Sequence, residues 1–325
     1  MKTTTLTSSD QHHIPLFQWG LAGRDKALAR GIVHISHGMS EYARRYQRLA
    51  EKLTAAGYIV YAHDHRGHGD CIKTTEQGYF ADQDGWHKTV NDLDTVVQHI
   101  RKKHPDLPIV LLGHSMGSYI LQGYLIDHSP GVTGCILSGS NFAPRPLLYL
   151  GRAVAWLESL RQGKKGLSPL INQLTFAQYN RRFKPNRTAY DWLSRDPAEV
   201  DKYDQDPLCG FLCTNHLWKD LFDGLLKISS PENLTGIGSS LPVLVMGGEE
   251  DPVSAPRGQQ KLAKALQKAG LKNVTIRLYP DGRHEMFNEI NHEQVTGQLI
   301  QWIDQCLEQR ASQAAPSLDR LTSKT

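Results

Sequence analysis

Nowhere does the sequence contain an uninterrupted apolar run near the roughly 18 residues that a membrane-spanning helix needs, and residues 1–30 lack the apolar stretch of a secretory signal. A soluble chain kept in the cytoplasm is the expectation. The five cysteines, at 71, 135, 209, 213 and 306, include no Cys-x-x-Cys pair and no histidine spaced to complete a zinc site. Disulfides, a metal and any other cofactor are therefore not expected, and Cys209 and Cys213, four apart, read as ordinary half-buried thiols. Charge of one sign is scarce too: the net charge of +4 is small for 325 residues and is spread along the chain, which argues against a nucleic-acid partner. What is present, 39% hydrophobic and 22% charged residues, is the balance of a chain that buries a substantial core.

From about residue 31 short β-rich runs alternate with helical patterns, the signature of βαβ units and a mostly parallel sheet flanked by helices. Strands are expected at 32–36, 58–62, 108–112, 134–138, 242–246 and 274–279, and helices at 41–56, 87–103, 116–128, 255–268 and 292–307. Between 141 and 230 the alternation gives way to helical and loop segments rich in aromatics and arginine. This stretch is expected to be a helical lid inserted after the sixth strand into a core formed by 1–140 and 231–310, with 311–325 as a flexible polar tail. Within the insertion Leu147, Leu150, Ala153, Val154, Leu157 and Leu160 recur at helical spacing, opposite Arg152 and Ser159. The plainer reading is a helix that lays this stripe on the core; the alternative is a surface that faces lipid.

The strongest chemical signal is Gly113-His114-Ser115-Met116-Gly117, a G-x-S-x-G lying between an apolar strand and a helical pattern. That context makes it a nucleophile elbow, in which a sharp turn holds the serine hydroxyl over the carboxyl edge of a sheet. A serine hydroxyl is a weak nucleophile until a base lies within hydrogen-bond reach. In such a fold the acid and then the histidine follow on later strand ends, and Asp251 in GGEEDP and His284 in YPDGRHEMF fall in that order. Glu249 and Glu250 adjoin Asp251, and Glu250 is the alternative acid. The backbone N–H groups of Met116 and of Met39, in His37-Gly38-Met39-Ser40, are the expected oxyanion hole. The turn Asp64-His65-Arg66-Gly67-His68-Gly69 matches neither a phosphate loop nor a complete metal set and reads as a structural loop beside the site.

Taken together, HGMSEYARRY, DHRGHGD, GHSMGS, GGEEDP and DGRHEMFNE, in that order across residues 30–308, resemble the monoacylglycerol lipase and lysophospholipase branch of α/β-hydrolases, also grouped as serine aminopeptidase S33. The insertion segment RTAYDWLSRDPAEVDKYDQDPLCGF is similar to bacterial lysophospholipase-like members. The resemblance implies cleavage of carboxylic esters such as monoacylglycerols or lysophospholipids through an acyl-enzyme on Ser115, with a small lipid substrate and at most peripheral membrane contact. Alternatives are an S33-type aminopeptidase and a non-catalytic binding protein of the same fold. This chain departs from many relatives at Tyr42, where they carry histidine, and at Asp70-Cys71, where they carry serine.

Overall fold

The computed structural model describes residues 1–20, 29–254 and 257–314. Two strands precede the alternating region: β1 (Lys2–Thr7) and β2 (His13–Trp19) form an antiparallel hairpin. Sequence pattern did not announce them, because β1 is a threonine-rich exposed edge and β2 carries Pro15, a residue that counts against a strand. The apolar runs that follow become β3 (Gly31–Ser36), β4 (Tyr58–His63), β5 (Ile109–His114), β6 (Gly134–Ser138) and β7 (Val243–Gly248), every residue of which is buried. Strands covered on both faces need such continuous apolar sequence. The half-exposed β8 (Val274–Tyr279) closes the far edge.

The sheet has eight strands in the order β1-β2-β4-β3-β5-β6-β7-β8. β2 runs antiparallel to β4, and all pairings from β4 through β8 are parallel. Alternate residues of each strand enter opposite cores, as the two-residue period of a strand dictates: Ile32, Ile59 and Leu111 lie in one, Val33, Val60 and Leu112 in the other. The second core is covered by α1 (Gln47–Ala55) and α11 (His292–Ala314), the first by α2 (Gly85–Lys103), α3 (Met116–His128) and α10 (Gly258–Lys268).

Between β6 and β7 the chain passes through α4 (Arg145–Gln162), α5 (Pro169–Leu174), α6 (Phe176–Asn180), α7 (Pro197–Gln205), α8 (Asn215–Ile228) and α9 (Pro231–Leu234). Here the structure corrects the plainer reading of the leucine stripe. Leu148, Ala155 and Glu158 are the buried residues of α4, and Gly151 packs against the Phe222 ring of α8. Leu147, Leu150, Leu157 and Leu160 are instead 55–66% exposed. Small residues let α4 approach α8 closely, so its packing face is not its most apolar one.

Three boundaries also move. The stretch expected to be helical from 41 begins with a 3-10 turn at Ala43–Tyr46, whose leading amide donates to Asp64 Oδ1 at 2.9 Å. The helix expected from 255 begins at Gly258, after Arg257 in a left-handed conformation with φ 62°, and 255–256 lie outside the described residues. The expected tail at 311–314 is the end of α11, and 315–325 are outside the described residues.

Candidate active site

Ser115 sits where β5 turns into α3, with φ 50° and ψ −120°. A non-glycine residue is strained there and is held only because its surroundings leave no alternative. The glycines two positions away explain the motif: a Cβ on Gly113 would stand 2.6 Å from the Gly117 carbonyl oxygen, and one on Gly117 would overlap the Ser36 carbonyl of β3. The turn is thereby pressed against its neighbouring strand, and the serine is left half-exposed while almost everything around it is buried.

Asp251 follows β7, His284 follows β8, and both are buried. His284 Nδ1 lies 3.0 Å from Asp251 Oδ1. The other Asp251 oxygen accepts the Ser254 hydroxyl at 3.0 Å, and the Val253 amide donates to Oδ1 at 3.0 Å. Burial alone would raise the Asp251 carboxyl, but the His284 charge and these hydrogen bonds outweigh it and hold the carboxyl low. Burial likewise would lower His284, yet Asp251 reverses the sign, so the imidazole titrates above its ordinary 6.5. Glu250 is not the partner: it pairs with Arg182 at the surface. Ser115 and His284 line one cavity without a hydrogen bond between them, a contact that in free enzymes often tightens only when substrate arrives.

The amides of Met39 and Met116 have no hydrogen-bond acceptor among the described residues, and both residues line a cavity with Ser115. The turn that carries Met39 is fastened on two sides. Glu41 Oε1 accepts the Gly38 amide at 2.6 Å and the Tyr46 hydroxyl at 2.8 Å, while Arg45 bridges Glu41 and Glu285, the residue next to His284. Burial would raise the Glu285 carboxyl, but the paired guanidinium outweighs it and holds the carboxyl below the usual range. From the insertion, Tyr203 and the Gly210 amide both donate to the Ser40 carbonyl, at 2.9 and 3.0 Å. The insertion also grips the histidine loop: Leu193 O accepts the Glu285 amide at 2.8 Å, and the Trp192 ring lies 5.1 Å from that of His284.

Beneath the turn lies the 64–69 loop, which serves structure. Arg66 forks onto Asp92 at 2.6 and 2.8 Å and onto Asp10 at 2.8 and 2.7 Å, and His65 Nε2 lies 3.0 Å from Ser36 Oγ. Among the described residues no group of three or more His, Cys, Asp or Glu is arranged to hold a metal ion. The two departures noted in the sequence are absorbed structurally, since Tyr42 donates to Asp206 of the insertion at 2.7 Å and Asp70 takes the Arg44 fork at 2.6 and 3.2 Å.

Two cavities meet at Ser115. One, of about 640 Å³, is walled by apolar side chains that include Tyr119, Leu148, Val154, Phe176, Trp218 and Leu221. The other, of about 130 Å³, is mixed: Ser40, Glu41, Asn172, Tyr190, Tyr203 and His284 bring polar groups to a lining that also holds Trp192, Leu193 and Leu212. A large apolar pocket and a small one that carries polar groups, meeting at a nucleophile, suit an amphiphile whose scissile bond separates a greasy part from a hydrophilic one.

Comparison with known proteins bears on the chemistry. A family model described as serine aminopeptidase, S33, matches residues 27–291. The chain belongs to that family. It is 29% identical over 287 residues to the monoacylglycerol lipase of Mycolicibacterium smegmatis (84% of this chain, 88% of the relative) and 26% identical over 309 residues to human monoglyceride lipase (95% and 91%). A solved carboxyl esterase from Bacillus coagulans, in complex with glycerol, superposes with a TM-score of 0.85 at 26% identity, covering 94% of this chain and 98% of the esterase. The fold is that of the α/β-hydrolases.

Within this member of the S33 family, the structure brings Ser115, Asp251, His284, Met39 and Met116 to one end of the sheet. Sequence reasoning did not find Ser254, Trp192 or the Glu41–Arg45–Glu285 bridge. Ser254 follows Asp251 by three residues and could have been suspected as a turn partner of a carboxylate. Arg45 and Glu285 are 240 residues apart, and no local pattern announces their pairing.

Proposed function

We propose that this S33-family chain is a serine hydrolase of carboxylic esters that acts on monoacylglycerol-like or lysophospholipid-like lipids, with Ser115, His284 and Asp251 as its catalytic triad. The observation that carries the reading is that Ser115 lines both a large apolar cavity and a small one furnished with polar groups. The acyl chain lies in the first and the alcohol in the second. Ser115 Oγ attacks the ester carbonyl as His284 takes its proton, and Asp251 holds the imidazole tautomer and the imidazolium that forms. The Met39 and Met116 amides receive the charge that develops on the carbonyl oxygen, an interaction typically worth about 3 kcal/mol per donor. His284 then protonates the leaving alcohol, and water activated by the same ring hydrolyses the acyl-enzyme. The names of the Mycolicibacterium and human relatives favour this substrate class.

A peptidase has less support: Glu41 and Glu285, the carboxylates that line the smaller cavity, already share the Arg45 guanidinium, and Glu41 also holds the Gly38 amide and the Tyr46 hydroxyl, so neither is free to receive an ammonium terminus. The helical segment 141–230 acts as a lid over the apolar cavity, which α4, α5, α6 and α8 help to line. Exposed leucines on α4, two of which also line that cavity, support peripheral contact with a lipid surface. Among the described residues no helix is long and apolar enough to cross a membrane. Five free, buried cysteines suit a reducing compartment such as the cytoplasm.

The test is turnover of p-nitrophenyl esters from acetate to palmitate, and of monoacylglycerols against lysophospholipids, together with labelling by a fluorophosphonate. Wild-type protein is expected to hydrolyse the esters and take the label; Ser115→Ala loses the label and on the order of 10⁴-fold or more in kcat. Equal turnover by the two proteins would overturn the assignment.

A further inference from the structure

Beyond the active site, a groove of about 700 Å³ lies between α9 and α10. Its apolar lining includes Phe142, Pro144, Leu234 and Ala265, and it also takes in Lys261, Lys264 and Lys268. Those lysines recur at three- and four-residue spacing, so they stand on one face of α10. All three are exposed, and none of their ammonium groups has an ion pair or hydrogen bond among the described residues. Like charges so spaced repel one another, and neighbouring acids commonly relieve such a row. Here Glu232 on α9, the acidic residue among those lining the groove, accepts the Ser230 hydroxyl and keeps its charge, so three ammonium groups face one carboxylate and the lysine charge stays in excess.

The groove adjoins the apolar cavity above Ser115, since Phe142, Pro144 and Lys261 line both. An apolar trough edged by unpaired ammonium groups complements one class of molecule, an amphiphile with an alkyl chain and a single anionic head. Hydrolysis of an acyl-enzyme generates that class of molecule. Water adds to the acyl carbon, the bond to Ser115 Oγ breaks with return of a proton to the serine, and the acid released ionises at neutral pH.

We propose that the α9–α10 groove is a second binding site, for the long-chain carboxylate released at Ser115, with the alkyl chain against Phe142, Pro144 and Leu234 and the carboxylate among the three lysines. The proposal rests on the ester-hydrolase reading for the origin of its ligand. The groove gives the product a destination of opposite polarity to that of the neutral ester: the same chain is accepted only once its head has become an anion. The acid thus leaves the reaction chamber sideways along α10, while the alcohol departs through the smaller cavity.

The experiment fills the main cavity first. Wild-type protein is inactivated with a long-chain alkyl fluorophosphonate and titrated calorimetrically with laurate, dodecanol and anionic phosphatidylglycerol vesicles. The expected result is one equivalent of laurate bound, no comparable binding of dodecanol, and at least a tenfold weaker laurate affinity in Lys264→Glu/Lys268→Glu. Turnover of p-nitrophenyl acetate is unchanged in that variant, because neither residue lines the cavities at Ser115. Lys264→Met/Lys268→Met, which removes charge without reversing it, is expected to lie between the two. No laurate heat on the blocked protein, equal binding of dodecanol, or indifference to charge reversal would overturn the proposal. So would a loss confined to the vesicles, which would mark the lysines as a membrane patch. Failure of the phosphonate to label Ser115 would count against the hydrolase reading alone; the titration is then run on Ser115→Ala with the same outcomes decisive.

Discussion

At Ser115 the backbone is bent into a conformation serine avoids, and at His284 a buried ring is held more basic than its surroundings alone would make it. The second fact sets the pH dependence. His284 must be neutral to accept the serine proton, so kcat/KM is expected to rise with pH along a limb whose midpoint lies above 6.5. Asp251→Asn removes the charge that raises the ring. The limb is then expected to move to lower pH while kcat falls on the order of 10³–10⁴-fold, because the amide no longer enforces the tautomer. A pH–rate profile of both proteins on a soluble ester checks this, and an unshifted limb would remove Asp251 from the site. At this scale the sequence was informative: the elbow, the acid and the histidine each lie just past a strand that apolar pattern alone delimits. The supports around them were not legible, since Arg45 meets Glu285 and Leu193 meets the Glu285 amide only through tertiary folding.

Burial made many elements legible but not all: β2 is buried at six of seven positions yet hidden by Pro15, and the half-exposed β8 was expected at its observed bounds. β5, β6 and α3 are wholly or nearly wholly buried, and their sequences announce them. β1, an exposed edge, does not. Helix α4 shows a subtler failure: its periodicity marks an apolar face, but periodicity carries no information about whether protein or solvent lies over that face. Its packing instead uses Leu148, Gly151 and Ala155, where low bulk permits close approach to α8. The exposed Leu157 and Leu160 therefore offer a clean test, because neither lines the cavity at Ser115. Leu157→Ser/Leu160→Ser is expected to keep its melting temperature and its rate on p-nitrophenyl acetate. Its rate on monoacylglycerol dispersed in vesicles should fall several-fold. Equal loss on both substrates would locate the effect in folding or chemistry instead of at the lipid surface.

For the molecule as a whole, the dominant electrostatic feature is a set of buried neutral imidazoles beneath the active-site turn. His34 Nε2 lies 2.9 Å from His63 Nδ1, and His37 donates from Nδ1 to the Gly38 carbonyl while its Nε2 accepts the His65 amide, which fixes a neutral tautomer. Burial lowers all of them: His63 and His114 to about 3, His68 to about 4, and His34, His37 and His65 well below 6.5. Since the unfolded chain binds protons that the folded one refuses, this contribution is complete above pH 6.5 and is lost as pH falls below it. At one unit below 6.5 each such ring costs about 1.4 kcal/mol, and six together, about 8 kcal/mol, fall within the usual 5–15 kcal/mol of a folded domain. The melting temperature is expected to hold from pH 8 to 7 and to drop steeply between pH 6.5 and 5; a flat profile over that interval would show the rings to be protonated or hydrated in the native state.

The hold that Trp192 and Leu193 keep on the backbone and ring of the histidine loop means that the segment between β6 and β7 is no detachable module. Exchanging residues 141–230 for the matching stretch of a relative, as one would to transplant a chain-length preference, also replaces the groove wall that seats His284. A chimera that keeps residues near 188–195 native and swaps only α4 to α6 separates selectivity from the proton-transfer machinery. One cut at the obvious sequence boundaries does not.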